Sequence, residues 1–171
     1  MELQCPYMSY YYVFCLKVKC TFEGVGILSA DPTDYDWCLK VKCCGCGEES
    51  PNWHTFGVGD SHELKGGRGS ANFVYKCKFC SRENSLDIVK DSLKKIEASQ
   101  GEKFVPLVKF DCRGLEPIFF LPKGPWQAES VTSGSKFGDI DLSDNDWADY
   151  DTKEQETVGI YDFTSQFERV K

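Results

Sequence analysis

Polar and apolar residues alternate with a period of two along much of this chain. Leu16, Val18, Cys20 and Phe22 are separated by Lys17, Lys19 and Thr21, and Trp37, Leu39, Val41 and Cys43 stand against Lys40 and Lys42. Successive strand residues point to opposite faces, so each run predicts a strand with one buried face. The hexapeptide Cys-Leu-Lys-Val-Lys-Cys occurs at 15–20 and again at 38–43. It predicts two similar amphipathic strands, candidates for neighbours in one sheet, and since it does not recur at that spacing it marks no solenoid. Further strands are predicted at 53–58, 72–77, 85–89, 104–110, 118–121 and 158–167, with Gly-rich or Pro-rich breaks at 57–59, 66–69, 122–125 and 133–138. Leu86, Val89, Leu93 and Ile96 also fit one short amphipathic helix, although Asp91-Ser92 interrupts it. The fold class expected is mainly β, a compact β-sandwich or barrel-like protein.

A fainter pattern divides the chain in two. Leu39-Lys40-Val41-Lys42-Cys43 runs into Cys46-Gly47-Glu48, and Leu107-Val108-Lys109-Phe110 runs into Cys112-Arg113-Gly114-Leu115-Glu116. Each reads as a strand ending in a Cys/Gly turn with Glu beyond, and in the second the metal-binding cysteines would be lost. The organisation expected is a Tyr-rich N-terminal extension over 1–12 and a single domain over 13–171, with similar halves at about 13–99 and 100–171.

Composition narrows the class. The 171 residues are 41% hydrophobic, 14% aromatic and 27% charged, which fits a globular chain and excludes disordered or collagen-like ones. No apolar run approaches the ~18 residues of a membrane span, and residues 1–14 lack the basic head and small-residue cleavage site of a signal peptide. The net charge of −7 falls in the last third: residues 1–110 carry 14 basic and 14 acidic side chains, residues 111–171 carry 6 and 13. Phosphate binding requires clustered Lys and Arg, so a nucleic-acid partner is disfavoured.

Ten cysteines dominate the chemistry, and all but Cys112 precede residue 81. With no secretory signal, such thiols point to a reducing, cytoplasmic setting and to metal binding. Cys43-Cys44-Gly45-Cys46-Gly47 and Cys77-Lys78-Phe79-Cys80 are two CxxC turns, each following a strand pattern. A two-residue spacer lets both sulfurs face one point, and two such pairs supply four thiolates for a closed tetrahedral zinc site. The metal ligands are therefore Cys43, Cys46, Cys77 and Cys80, holding one Zn2+ per chain. Four thiolates leave no position for a water, so the zinc is structural and not catalytic. The same S4 set also suits iron. Lys42, Lys76, Lys78 and Arg82 would offset part of its negative charge.

Other candidates carry less. A redox CxxC draws its lowered thiol pKa from a helix N-terminus, and both pairs here follow strands. Cys44 reads as a knuckle spacer, with ligand exchange against Cys43 as the alternative reading, and Cys5, Cys15, Cys20, Cys38 and Cys112 read as small buried strand residues. His54 and His62 are the two histidines, and neither sits in a zinc-protease or deaminase motif. The glycine-rich 64–70 segment fits neither phosphate-binding pattern and reads as a turn, with Lys65 and Arg68 as anion contacts in the alternative reading. The acidic 139–156 stretch fails as an EF-hand, and Trp147 and Tyr150 within it read as anchors of a charged loop or as part of an acidic surface for a basic partner.

Taken together these pieces resemble the eukaryotic CXXC-motif-containing zinc-binding proteins. The resemblance rests on Leu39-Lys40-Val41-Lys42-Cys43 with Cys46-Gly47-Glu48, the 64–70 loop, Lys76-Cys77-Lys78 with Cys80 and Arg82-Glu83-Asn84-Ser85, Cys112-Arg113-Gly114-Leu115-Glu116-Pro117, Asp146-Trp147 with Asp149-Tyr150-Asp151, and Val158-Gly159-Ile160-Tyr161. It implies a compact β protein of two similar halves with zinc on Cys43, Cys46, Cys77 and Cys80, and it implies no particular enzymatic activity. The function expected is that of a monomeric protein-interaction or adaptor module, not an enzyme, which offers a partner the 64–70 loop, the 112–117 turn or the 139–151 stretch. The alternative is thiol redox or metal transfer through Cys43, Cys44 and Cys46.

Overall fold

The computed structural model describes residues 11–65 and 69–171. Fifteen strands follow one another: β1 Tyr11–Glu23, β2 Val25–Ala30, β3 Trp37–Cys43, β4 His54–Phe56, β5 His62–Glu63, β6 Ser70–Ala71, β7 Phe73–Lys76, β8 Glu83–Ile88, β9 Ile96–Glu97, β10 Val105–Arg113, β11 Leu115–Phe120, β12 Trp126–Ser130, β13 Lys136–Ile140, β14 Trp147–Asp151 and β15 Glu156–Arg169. A single 3₁₀ turn at Ala98–Gln100 is the one helical element among the described residues, so the chain is mainly β as expected. The helical alternative over 86–96 gives way to β8 because Asn84, Ser85 and Leu86 are buried in succession, covered on both faces of the sheet.

Six strands form an antiparallel sheet in the order β14-β15-β1-β10-β8-β7, and β11-β3-β4 and β13-β12-β2-β9 form two smaller ones. Side chains from all three close one hydrophobic core. Leu16 and Val18 of β1 and Leu39 and Val41 of β3 are fully buried, while the lysines between them remain partly exposed, as the alternation requires. At the centre Tyr35 lies 4.3 Å from Trp37 and 4.9 Å from Trp126; Trp37 meets Phe110 of the large sheet at 5.6 Å. No helix among the described residues is long and apolar enough to cross a membrane.

The two copies of the hexapeptide are not neighbours. β1 pairs with β10 and β15, whereas β3 pairs with β11 and β4. An amphipathic pattern specifies a half-buried strand, but its partners depend on the turns and on the rest of the core. Tyr11 and Tyr12 already belong to β1, opposite Arg113 and Cys112.

The halves are real, and their correspondence differs from the one read in the sequence. Exchanging β1 with β10, β8 with β15 and β7 with β14 leaves the order of the large sheet unchanged. The same exchange carries the β3–β11 pair onto β12–β2, and β4 onto β13. Hence β10 is the counterpart of β1, not of β3, and Cys112 is a buried strand residue and no remnant of a knuckle. Details repeat: Cys44 N donates to Gly114 O at 2.9 Å, and Val131 N to Gly24 O at 3.0 Å. Gly24 and Gly114 each turn the corner into the next strand with φ of 67° and 82°, a left-handed conformation that favours glycine.

Candidate metal centre

β3 and β7 each run directly into a tight turn whose first and fourth residues are cysteines. In the first, Gly47 N donates to Cys43 O at 2.7 Å and Cys43 N to Glu48 O at 2.9 Å. In the second, Ser81 N donates to Cys77 O and Cys77 N to Arg82 O, both at 2.9 Å. The repeated closure aims Cys43, Cys46, Cys77 and Cys80 at one point, with all four Sγ atoms within 4.8 Å of one another. Cys43 Sγ lies 3.7 Å from Cys80 Sγ, and Cys46 Sγ 3.6 Å from Cys77 Sγ. A tetrahedron with metal–sulfur bonds of about 2.3 Å has edges of about 3.8 Å, so this donor set fits a zinc-sized ion.

Thiols this close cannot all ionise without a cation. Burial raises the Cys43 thiol, but hydrogen bonds from Asn84 and from the Cys46 and Gly45 amides outweigh it and bring it down to about 7. At Cys46 a hydrogen bond from the Glu48 amide acts downward, yet burial and the surrounding sulfurs prevail and push the thiol up to about 12. A metal would resolve the conflict, since a coordinating thiol is held as thiolate. Cys43 and Cys77 are buried, while Cys46 and Cys80 reach the surface. The Arg82 side chain lies over the first knuckle, where a Cβ on Gly45 would approach its Cδ at 3.2 Å.

Comparison with known proteins places the chain in a family. The family model described as CXXC motif containing zinc binding protein, eukaryotic, matches residues 15–168. The chain belongs to that family. It is 51% identical over 152 residues to the CXXC motif containing zinc binding protein of Bos taurus, covering 89% of this chain and 95% of that relative. The Homo sapiens protein of the same name is 49% identical over the same span, with the same coverage. The crystal structure of C1orf123 superposes with a TM-score of 0.86 at 47% identity, covering 92% of this chain and 99% of that one. A hypothetical protein from Plasmodium falciparum superposes with a TM-score of 0.81 at 25% identity, covering 91% and 99%.

The correspondence between halves shows what replaces the cysteines elsewhere. Cys43 maps onto Ser130, Cys46 onto Ser133, Cys77 onto Asp151 and Cys80 onto Glu154, and the turn conformations repeat, with φ of 80° at Gly47 against 70° at Gly134 and 63° at Ser81 against 54° at Gln155. In the second half Ser133 Oγ and Ser135 Oγ donate to the Asp151 carboxylate at 2.5 and 3.1 Å, and the Lys153 amide donates to it at 3.0 Å. A carboxylate thus ties together the two hairpin ends that the cysteines join in the first half. No signal in the sequence marked Asp151 for this role, because its partners lie 16–18 residues away.

The Ser133 hydroxyl and these further donors hold the Asp151 carboxyl below its ordinary value of 3.8. Its contribution to stability is therefore complete above about pH 4 and is lost as the pH falls through the lower native value. Urea unfolding at pH 6 and pH 3, with the same metal loading in both proteins so that cysteine protonation cancels in the comparison, is expected to show a smaller acid loss in Asp151→Asn than in the unsubstituted protein.

The remaining candidates are placed as follows. Cys15, Cys20, Cys38 and Cys112 are buried strand residues as expected, and Cys5 lies outside the described residues. Neither histidine joins the sulfur group. His54 packs 5.2 Å from Phe73 and 5.3 Å from Tyr75, where burial and then Lys78 lower its pKa, and His62 is exposed in β5. Of the 64–70 loop, residues 66–68, including Arg68, lie outside the described residues. The 112–117 turn is a corner whose Cys112, Leu115 and Pro117 are buried, so it offers little surface. The 139–151 stretch contributes β14 and the end of β13: Trp147 anchors on Phe137 at 5.6 Å, while Tyr150 is 51% exposed among its aspartates. Sequence reading passed over Phe79, between the second pair of cysteines, which is 75% exposed.

Proposed function

We propose that the protein is a zinc-binding interaction or adaptor module without enzymatic activity, with one Zn2+ held by Cys43, Cys46, Cys77 and Cys80. The convergence of four sulfurs at tetrahedral spacing carries this reading. All four positions of the metal would be filled, so the metal supplies rigidity and no Lewis-acid site for a substrate. What it holds rigid is the pair of knuckles, and between Cys77 and Cys80 Phe79 stands out into solvent with Lys78 exposed beside it. An exposed aromatic on a rigid turn is a low-entropy anchor for a protein partner. The acidic face at Asp139, Asp141, Asp144, Asp146 and Asp149 is a second candidate surface, suited to a basic partner. A cytoplasmic setting fits the thiol-rich composition.

The exposure of Cys46 and Cys80 favours metal transfer as the second reading, because an acceptor could reach two of the four ligands without unfolding the chain. Alkylation of the native protein with metal analysis separates the two. The structural reading expects one zinc per chain, with Cys46 and Cys80 unreactive despite their exposure until a chelator is added. Rapid labelling of either thiol with the fold intact, or zinc well below one per chain, would favour transfer.

A further inference from the structure

Asn84 is 1% exposed in a predominantly apolar core, and its Nδ2 lies 3.4 Å from Cys43 Sγ. Burying an amide costs stability unless its polar atoms are matched. Among the described residues the Oδ1 has no hydrogen-bond partner, so the contact with sulfur is the one side-chain hydrogen bond that this amide makes there. The reverse orientation would set a carbonyl oxygen against an electron-rich sulfur. The fold makes room for this group: a Cβ on Gly114 would collide with Asn84 Oδ1.

The second half serves as an internal control. Register places Val158 at the position equivalent to Asn84, facing Gly24 as Asn84 faces Gly114, and a Cβ on Gly24 would lie 2.9 Å from Val158 Cγ1. Where serine and aspartate replace the cysteines, an apolar side chain fills the same slot. The amide occurs in the half that carries the thiolates, and its N–H points at one of them.

We infer that Asn84 is a positioning residue of the metal centre, donating an N–H···S hydrogen bond to the Cys43 thiolate. Drawing electron density from that sulfur and fixing its rotamer, it tunes how tightly the centre holds its metal. Partners of this kind, one step behind the ligands, typically alter metal affinity about 10–100-fold. This inference rests on the zinc reading above.

The test uses the full chain and two variants: Asn84→Leu, close to Asn in shape without the donor, and Asn84→Val, the side chain that the other half accommodates. Each is loaded with Co2+ for spectroscopy and with Zn2+ for competition against a chromogenic chelator, after circular dichroism establishes the native fold. Both folded variants are expected to bind one metal per chain with about 10–100-fold lower affinity. Their sulfur-to-cobalt charge-transfer band is expected at lower energy than in the native protein, because a thiolate without the hydrogen bond gives up electrons more easily. Native affinity and an unshifted band in either folded variant would overturn the inference and leave the zinc reading standing, since a packing role is met by Leu or Val. Failure of the native chain itself to take up one metal would overturn the zinc reading and this inference with it.

Discussion

Stripping the metal from the cysteine centre is expected to lower thermal stability more than any single core substitution. Structural zinc sites contribute about 10–16 kcal/mol of apparent binding energy, against a total stability of about 5–15 kcal/mol for a domain. Without metal, the Cys43 and Cys46 thiols are driven apart to about 7 and about 12, and the hairpin ends lose the bond that joins them. The loss is expected to be uneven. Amide exchange should accelerate first in residues 43–50 and 77–82, while the Ser133–Asp151 clamp keeps the β12–β13 and β14–β15 turns protected. Cys77→Ser, which removes a buried member of the sulfur group, should reproduce the chelator result. Exchange and melting unchanged by metal removal would show that the knuckles hold themselves.

The second large effect belongs to the core. Trp126→Ala is expected to cost about 3–5 kcal/mol, or on the order of 10 °C in melting temperature at about 2–4 °C per kcal/mol for a chain of this size. Trp126 is fully buried, packs edge-on against Tyr35 at 4.9 Å and tilted against Phe163 at 5.6 Å, and donates Nε1–H to Pro122 O at 3.1 Å. Truncation would leave a cavity and remove one of the two hydrogen bonds that Pro122 O accepts, the other coming from Leu142 N at 3.0 Å. Phe119→Ala is the control: that ring is 56% exposed and its loss should change little. Chemical denaturation of both variants with zinc bound measures the contrast, and equal losses would contradict the layering described here.

The strands that the sequence revealed are those with one dry face. β1 and β3 alternate over Leu16–Cys20 and Leu39–Cys43, where every second side chain enters the core, and period two follows. β13 and β14 escaped because they are polar edge strands: Lys136, Asp139, Asp149 and Tyr150 face water, and backbone pairing to β12 and β15 holds them in the sheet. β2 and β12 escaped for a different reason: Gly26 and Ser29 in β2, and Ala128 and Ser130 in β12, dilute the apolar signal in strands of six and five residues. Each strand is secured by its partner more than by its own pattern.

The site divides along the same line. Four sulfurs were legible because each pair is local, three residues apart, and ligand geometry demands that spacing. Asn84 and Asp151 were not, because their meaning depends on distant contacts: Asn84 reaches a sulfur 41 positions away. The correspondence of halves was misread for a related reason. A Cys/Gly turn recurs in sequence after β10, but the topology repeats the knuckle after β12, where cysteine has become serine.

X-ray absorption at the zinc edge of the natively purified protein tests the central claim most directly. Four sulfur scatterers at about 2.3 Å, with no nitrogen or oxygen in the inner shell, are the result expected of a closed structural centre. An inner shell containing water, imidazole or carboxylate oxygen, or a zinc content too low to give an edge, would contradict it.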